Sequence, residues 1–223
     1  MKYIFLAVLS LIIAAVFIVL EHDKKYVPAV VAKGIASLCF VLLGFLGWRL
    51  GGQSHFGRLV VIGLVLGCLA DVLLNLRFVF EKFGTPIFLV GILVFLAGHV
   101  LYLIALVPQC RPLWICIILG VVLTYFILKW IFSRITAKTA FKIFGIFYIG
   151  TIVIMTCVAF GVLLTEATPR SWMFVFGALL FLVSDIVLIL NTFGSESKFS
   201  LRITNLGLYY LGQIMIALCL QLG

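Results

Sequence analysis

Three ionisable side chains lie deep within apolar stretches of this 223-residue chain: Asp71, His99 and Asp185. Lys33 is a fourth, nearer the end of its stretch, and the uncharged Asn75, Tyr102, Tyr209 and Gln213 stand close to them in sequence. An ionisable group inside a membrane span costs about 2.5–3.5 kcal/mol on insertion scales, so such a group marks a place where the chain pairs, binds or reacts. Two carboxylates in a poorly hydrated pocket do not both ionise readily, and one of the two is expected to hold its proton. A protonated acid beside an ionised base is what general acid–base hydrolysis uses. A lysine near the mouth of such a pocket suits a phosphate headgroup. The competing reading is a hydrogen-bonded network that only holds helices together. The cost of burial favours chemistry over scaffolding for Asp71, His99 and Asp185, whereas Lys33 serves equally well as a residue that snorkels to the interface.

Other chemistries lack their parts. A zinc site needs three or four converging ligands, yet there are three histidines, of which His22 and His55 fall in loops on opposite faces. There is no G-x-S-x-G elbow, P-loop or haem-type Cys/His pair. Six cysteines sit mostly within apolar runs without a C-x-x-C pair and read as small buried hydrophobes. No metal and no cofactor is expected.

The elements that must position these residues are membrane helices. The chain is 65% hydrophobic and 10% charged, against about 45–50% and 25% in soluble domains, and so much apolar surface needs lipid as its solvent. Apolar runs fall at 3–20, 28–50, 59–80, 86–107, 113–132, 141–165, 172–193 and 201–222, each near the ~20 residues that cross a bilayer. The expected fold is all-α: a polytopic membrane bundle of about eight transmembrane helices forming a single integral membrane domain over 1–223. The first run resembles a signal-peptide core, but Glu21 and Asp23 follow it without a small-residue cleavage site, so it reads as a retained helix. The net charge of +9 comes from cations between the runs rather than a stripe on one helix, which argues for lipid headgroups and against nucleic acid. Lys24, Lys25, Arg77, Lys82, Lys129, Arg134, Lys138, Lys142, Lys198 and Arg202 flank one side, and Lys2, Arg49, Arg58, Arg111 and Arg170 the other. The richer side is expected to be cytoplasmic, with both termini outside, in the inner membrane if the cell is bacterial.

Depth follows from the helical rise. Asp71 lies nine residues before Phe80 and Asp185 eight before Phe193, which puts each about 12–14 Å inside the same face, Lys33 about 8 Å and His99 about 20 Å. The two carboxylates can therefore meet, with His99 roughly a turn deeper and Asn75 one turn nearer the mouth on the face of Asp71. An internal repeat supports the matched depths: GLVLGCLAD at 63–71 returns as GALLFLVSD at 177–185, an offset of 114 residues that also carries Gly98-His99 onto Gly212-Gln213. Four helices per half makes two parallel repeats related by an axis along the membrane normal.

Five segments in order over helices three to eight, 58–76 (RLVVIGLVLGCLADVLLNL), 88–106 (FLVGILVFLAGHVLYLIAL), 148–159 (YIGTIVIMTCVA), 177–193 (GALLFLVSDIVLILNTF) and 209–217 (YYLGQIMIA), resemble the YhhN family of membrane proteins, which includes the lysoplasmalogenases. The family's Gly-Asp stands as Ala70-Asp71, its Ala-His-x-x-Tyr as Gly98 to Tyr102, its Ser-Asp as Ser184-Asp185, and Lys33 matches the Lys of a Lys-Pro pair whose proline is Gly34. The resemblance implies hydrolysis of the vinyl-ether bond of a lysoplasmalogen to a fatty aldehyde and glycerophospho-ethanolamine or -choline, with lysophospholipid and bilayer lipids as partners. On that reading Asp71 and Asp185 are the acid/base pair and His99 and Tyr102 orient substrate or water. Lys33, Asn75, Tyr209 and Gln213 then join Tyr102 in binding substrate. The alternatives are a lipid or small-molecule transporter without hydrolytic activity, since parallel repeats with polar groups near the midplane also describe transporters, and a noncatalytic membrane scaffold.

Overall fold

The structure, a computed structural model, describes residues 3–222; Lys2 lies outside them. Eight α-helices follow one another: α1 (Ile4–His22), α2 (Tyr26–Leu50), α3 (His55–Val79), α4 (Gly84–Leu106), α5 (Leu113–Phe132), α6 (Thr139–Thr165), α7 (Pro169–Phe193) and α8 (Phe199–Cys219). Single 3₁₀ turns at Glu81–Phe83 and Val107–Gln109 join α3 to α4 and α4 to α5. Most helices begin two to four residues before their apolar runs, because the first turn needs capping rather than hydrophobicity. Ser54 accepts the Gly57 amide at 3.1 Å ahead of α3. Thr168 and Ser171 form a reciprocal capping box ahead of α7, with Pro169 at the first helical position.

Seven of the helices are long and apolar enough to cross a membrane, and α8 falls short of that measure. Its shortfall comes from Arg202, Asn205, Tyr209, Tyr210 and Gln213. Burial compensates: all of these but Arg202 are buried within the bundle. The outer helices show the opposite pattern. Val8, Ile12, Val16 and Val19 of α1, and Ile115, Ile118, Val122 and Phe126 of α5, are exposed. An apolar band of that extent is a poor surface in water and a proper one in hydrocarbon. The chain is a multi-pass membrane protein.

The repeat read from sequence is visible in the packing. In α3 and α4, Gly98 lets the backbones approach so closely that a β-carbon there would lie 3.1 Å from the Gly63 carbonyl. In α7 and α8 the residues 114 positions on do the same, a β-carbon on either Gly177 or Gly212 falling 2.8 Å from the other's carbonyl. Small residues at crossings of this kind are how membrane helices gain contact where hydrophobicity gives no drive. The contact of α2 with α8 is likewise answered by that of α6 with α4, as a two-fold axis between parallel halves requires.

One end of the bundle gathers the loops after α1, α3, α5 and α7. Arg202 grips Glu21 with two hydrogen bonds, of 2.8 and 2.7 Å, tying α8 to α1. The Thr136 amide donates to the Phe193 carbonyl at 2.9 Å, which lays the α5–α6 loop against the end of α7. This is the end with the larger share of cations.

Candidate active site

Asp71 sits on α3 where three side chains converge on its carboxylate. The Lys33 ammonium from α2 lies 3.0 Å from Oδ1. The hydroxyls of Ser37 (α2) and Tyr209 (α8) each donate to Oδ2 at 2.5 Å, and Tyr210 stands 3.4 Å from the Ser37 hydroxyl. Lys33 is 5% exposed and Asp71 1%, so Lys33 is no snorkelling surface residue but the buried partner of Asp71. Removing one member of such a pair leaves an uncompensated buried charge, at a cost of about 3–5 kcal/mol. The Lys33 ammonium also faces the ring of Phe17 on α1 at 5.2 Å. Asn75 donates its side-chain amide to the Asp71 backbone carbonyl at 3.0 Å and lines the same space.

Asp185 lives differently. On α7, 3% exposed, it accepts one side-chain hydrogen bond, from the Tyr148 hydroxyl of α6 at 2.7 Å. Among the described residues no cation pairs with it. Its neighbour Ser184 points elsewhere, exchanging hydrogen bonds with Asn205 of α8 at 2.8 and 3.0 Å. Successive helical side chains diverge by about 100°, so this is the expected separation.

Both carboxylates line one cavity, with about 1090 Å³ of empty space including its open mouth. Lys33, Asn75, Tyr148 and Tyr209 line the polar inner part, and Leu74, Ile92, Leu128, Ile149, Leu188 and Ile189 the apolar walls. Arg77 and Arg202 stand in it towards the loop end, together with Phe88, Phe141 and Phe193, whose rings form a cluster with centroids 5.5–6.5 Å apart. The carboxylates share the space without a hydrogen bond between them among the described residues.

His99, Tyr102 and Gln213 stand behind this cavity rather than in its lining. The Nδ1–H of His99 donates to the Phe95 carbonyl at 2.8 Å, and Nε2 has no partner among the described residues. Its ring packs edge-on to Tyr148 at 5.8 Å and Phe181 at 4.5 Å. Tyr102 donates to Gln213 at 3.2 Å, joining α4 to α8 across the pseudo-axis. His99 thus does not touch either carboxylate, and its contact with the acid pair runs through the Tyr148 ring. The sequence reading passed over Tyr148, Ser37 and Arg77. Tyr148 opens one of the stretches that carry the family resemblance, which was the available signal. Among the described residues no three His, Cys, Asp or Glu side chains group as metal ligands.

An eight-helix membrane bundle of two pseudo-equivalent halves, enclosing an apolar cavity with a paired and an unpaired carboxylate, defines the class of protein. Residues 28–220, nearly the whole chain, match the model of the YhhN family, and the chain belongs to that family. No curated protein and no solved structure gives a match.

Proposed function

We propose that the protein hydrolyses the vinyl-ether bond of lysoplasmalogens, releasing a fatty aldehyde and a glycerophospho-ethanolamine or -choline. The observation that carries this reading is the unlike state of two carboxylates on one apolar cavity. Asp71 has Lys33 and two hydroxyl donors to hold it ionised. Asp185, with a single hydroxyl donor and no cation, is the residue suited to carry a proton. Asp185 gives that proton to the alkenyl β-carbon, and the electron pair of the double bond forms the new C–H bond. The cation left is an oxocarbenium ion, which the Asp71 carboxylate stabilises, as carboxylates do in glycosidases. Water adds to it and Asp185, now a carboxylate, takes the water proton. The hemiacetal then collapses to aldehyde and glycerol hydroxyl, and Asp185 ends protonated.

Tyr148 orients Asp185, and His99 packs behind Tyr148 as a positioning residue. The alkenyl chain lies among the apolar walls. Detergent-purified protein should release aldehyde from a lysoplasmalogen and none from its saturated ether analogue. Cleavage of neither removes the proposal, and transport of intact lipid into liposomes without product would favour the transporter reading instead. Folded Asp185→Asn protein that cleaves as fast as the parent would remove the mechanism.

A further inference from the structure

The cavity holds three cationic side chains, Lys33, Arg77 and Arg202, and two of them are already neutralised. Lys33 has Asp71 at 3.0 Å and Arg202 has Glu21 at 2.7 Å. Arg77, six residues beyond Asp71 on α3 and therefore about 9 Å nearer the loop end, has neither an ion pair nor a side-chain hydrogen bond among the described residues, and its Nε is buried without a partner. Its guanidinium rests between two aromatic faces, 4.6 Å from the Phe78 ring and 4.3 Å from the Phe88 ring. Stacking of that kind covers the faces of the plane and leaves its N–H edges for a ligand. A planar fork of donors matches the oxygens of a phosphate, and Arg is the residue that reads them two at a time.

We infer that Arg77 is the phosphate anchor of the cavity, its free N–H edge taking the oxygens of a phosphate group while the rest of the ligand extends inward to the carboxylates. Charge balance favours a ligand with a single negative charge, as in a phosphodiester: with Asp185 protonated, Lys33 and Arg202 are cancelled by Asp71 and Glu21, and one positive charge remains. Lys33, the lysine that the sequence suggested for this task, is occupied by Asp71 and sits deeper. The inference rests on the lipid-hydrolase reading for the identity of the ligand and not for the anion site itself.

Binding of a non-cleavable ligand separates the two. The full chain in detergent is titrated with a saturated 1-O-alkyl lysophosphatidylethanolamine and with the matching 1-O-alkylglycerol, which lacks the phosphate. The parent should bind the phospholipid at least tenfold more tightly. Arg77→Gln should abolish that preference while binding the alkylglycerol as the parent does. Arg77→Lys, which keeps the charge and the stem but loses the planar fork, covers the case in which Arg77→Gln does not fold, and should weaken phospholipid binding at least threefold. Competition by millimolar inorganic phosphate assigns the site to phosphate as such, and lack of competition assigns it to the lipid-tethered group; either outcome supports the anchor. A parent without preference for the phospholipid overturns the inference, as does a folded Arg77 variant with undiminished phospholipid binding. Because the ligand cannot be hydrolysed, these results stand whether or not the protein proves to be a hydrolase.

Discussion

The two halves of the bundle place an aspartate at the same point and surround it oppositely. Asp71, in the first half, is held by a lysine and two hydroxyls from α2 and α8. Asp185, 114 residues later, is held by one tyrosine from α6. The position equivalent to Lys33 in the second half is Phe147, which is exposed on the outside of the bundle, and the position equivalent to Tyr209 is Phe95. A repeated backbone pattern thus carries two acids at equivalent positions, and substitutions around them supply the difference in character on which the proposed acid–base chemistry rests. The shared glycine crossings bring the helices close, and the unshared lysine and tyrosines give the two carboxylates unlike partners.

Breaking the comparison at its centre should have the largest effect. Asp185→Asn keeps the shape and the acceptor for Tyr148 but not the proton, and should lower vinyl-ether cleavage by about 10²–10⁴-fold with little loss of thermal stability. Asp71→Asn should lose comparable activity and, unlike Asp185→Asn, also destabilise the fold, because Lys33 is then left buried without its counter-charge. Lys33→Met sharpens that contrast: unfolding followed in detergent should show a loss of about 3–5 kcal/mol, much of it recovered in the Lys33→Met/Asp71→Asn double variant. Equal stability of Asp71→Asn and Asp185→Asn would erase the distinction between the halves. At the crossings, Gly177→Ala, whose β-carbon meets the Gly212 carbonyl, should cost about 1–3 kcal/mol. The smallest effect is expected for Tyr148→Phe, about 0.5–1.5 kcal/mol in stability, with a clear fall in turnover.

Much of this was legible in the sequence, for a physical reason. A bilayer tolerates few alternatives to a long apolar helix, so all eight helices and the two expensive carboxylates stood out from runs and interruptions. The glycine pairs at 63 and 98, and at 177 and 212, were visible as a repeat before their close approach was known. What stayed hidden were groups whose cost in a membrane is small or whose position offers two readings. A serine or tyrosine on an apolar helix, such as Ser37 or Tyr148, is ordinary, and only the neighbouring helix reveals that it donates to an aspartate. Lys33 lies near enough to a helix end to suit either a headgroup or snorkelling, and Arg77 reads as a flanking cation, whereas Lys33 turns inward to Asp71 and Arg77 into the cavity. The helical rise sets His99 apart from the carboxylates, and it gives no sign that Tyr148 stands between them.

The polarity of α8 bears on how the protein reaches its membrane. A helix carrying Arg202, Asn205, two tyrosines and Gln213 partitions poorly by itself, and its polar groups find their partners on α7, α4, α3 and α1. Its place in the bilayer therefore depends on its partners, α7 above all, rather than on its own hydropathy. Since α8 carries Tyr209 to Asp71, the surroundings of that carboxylate are complete only when α8 is packed against α3.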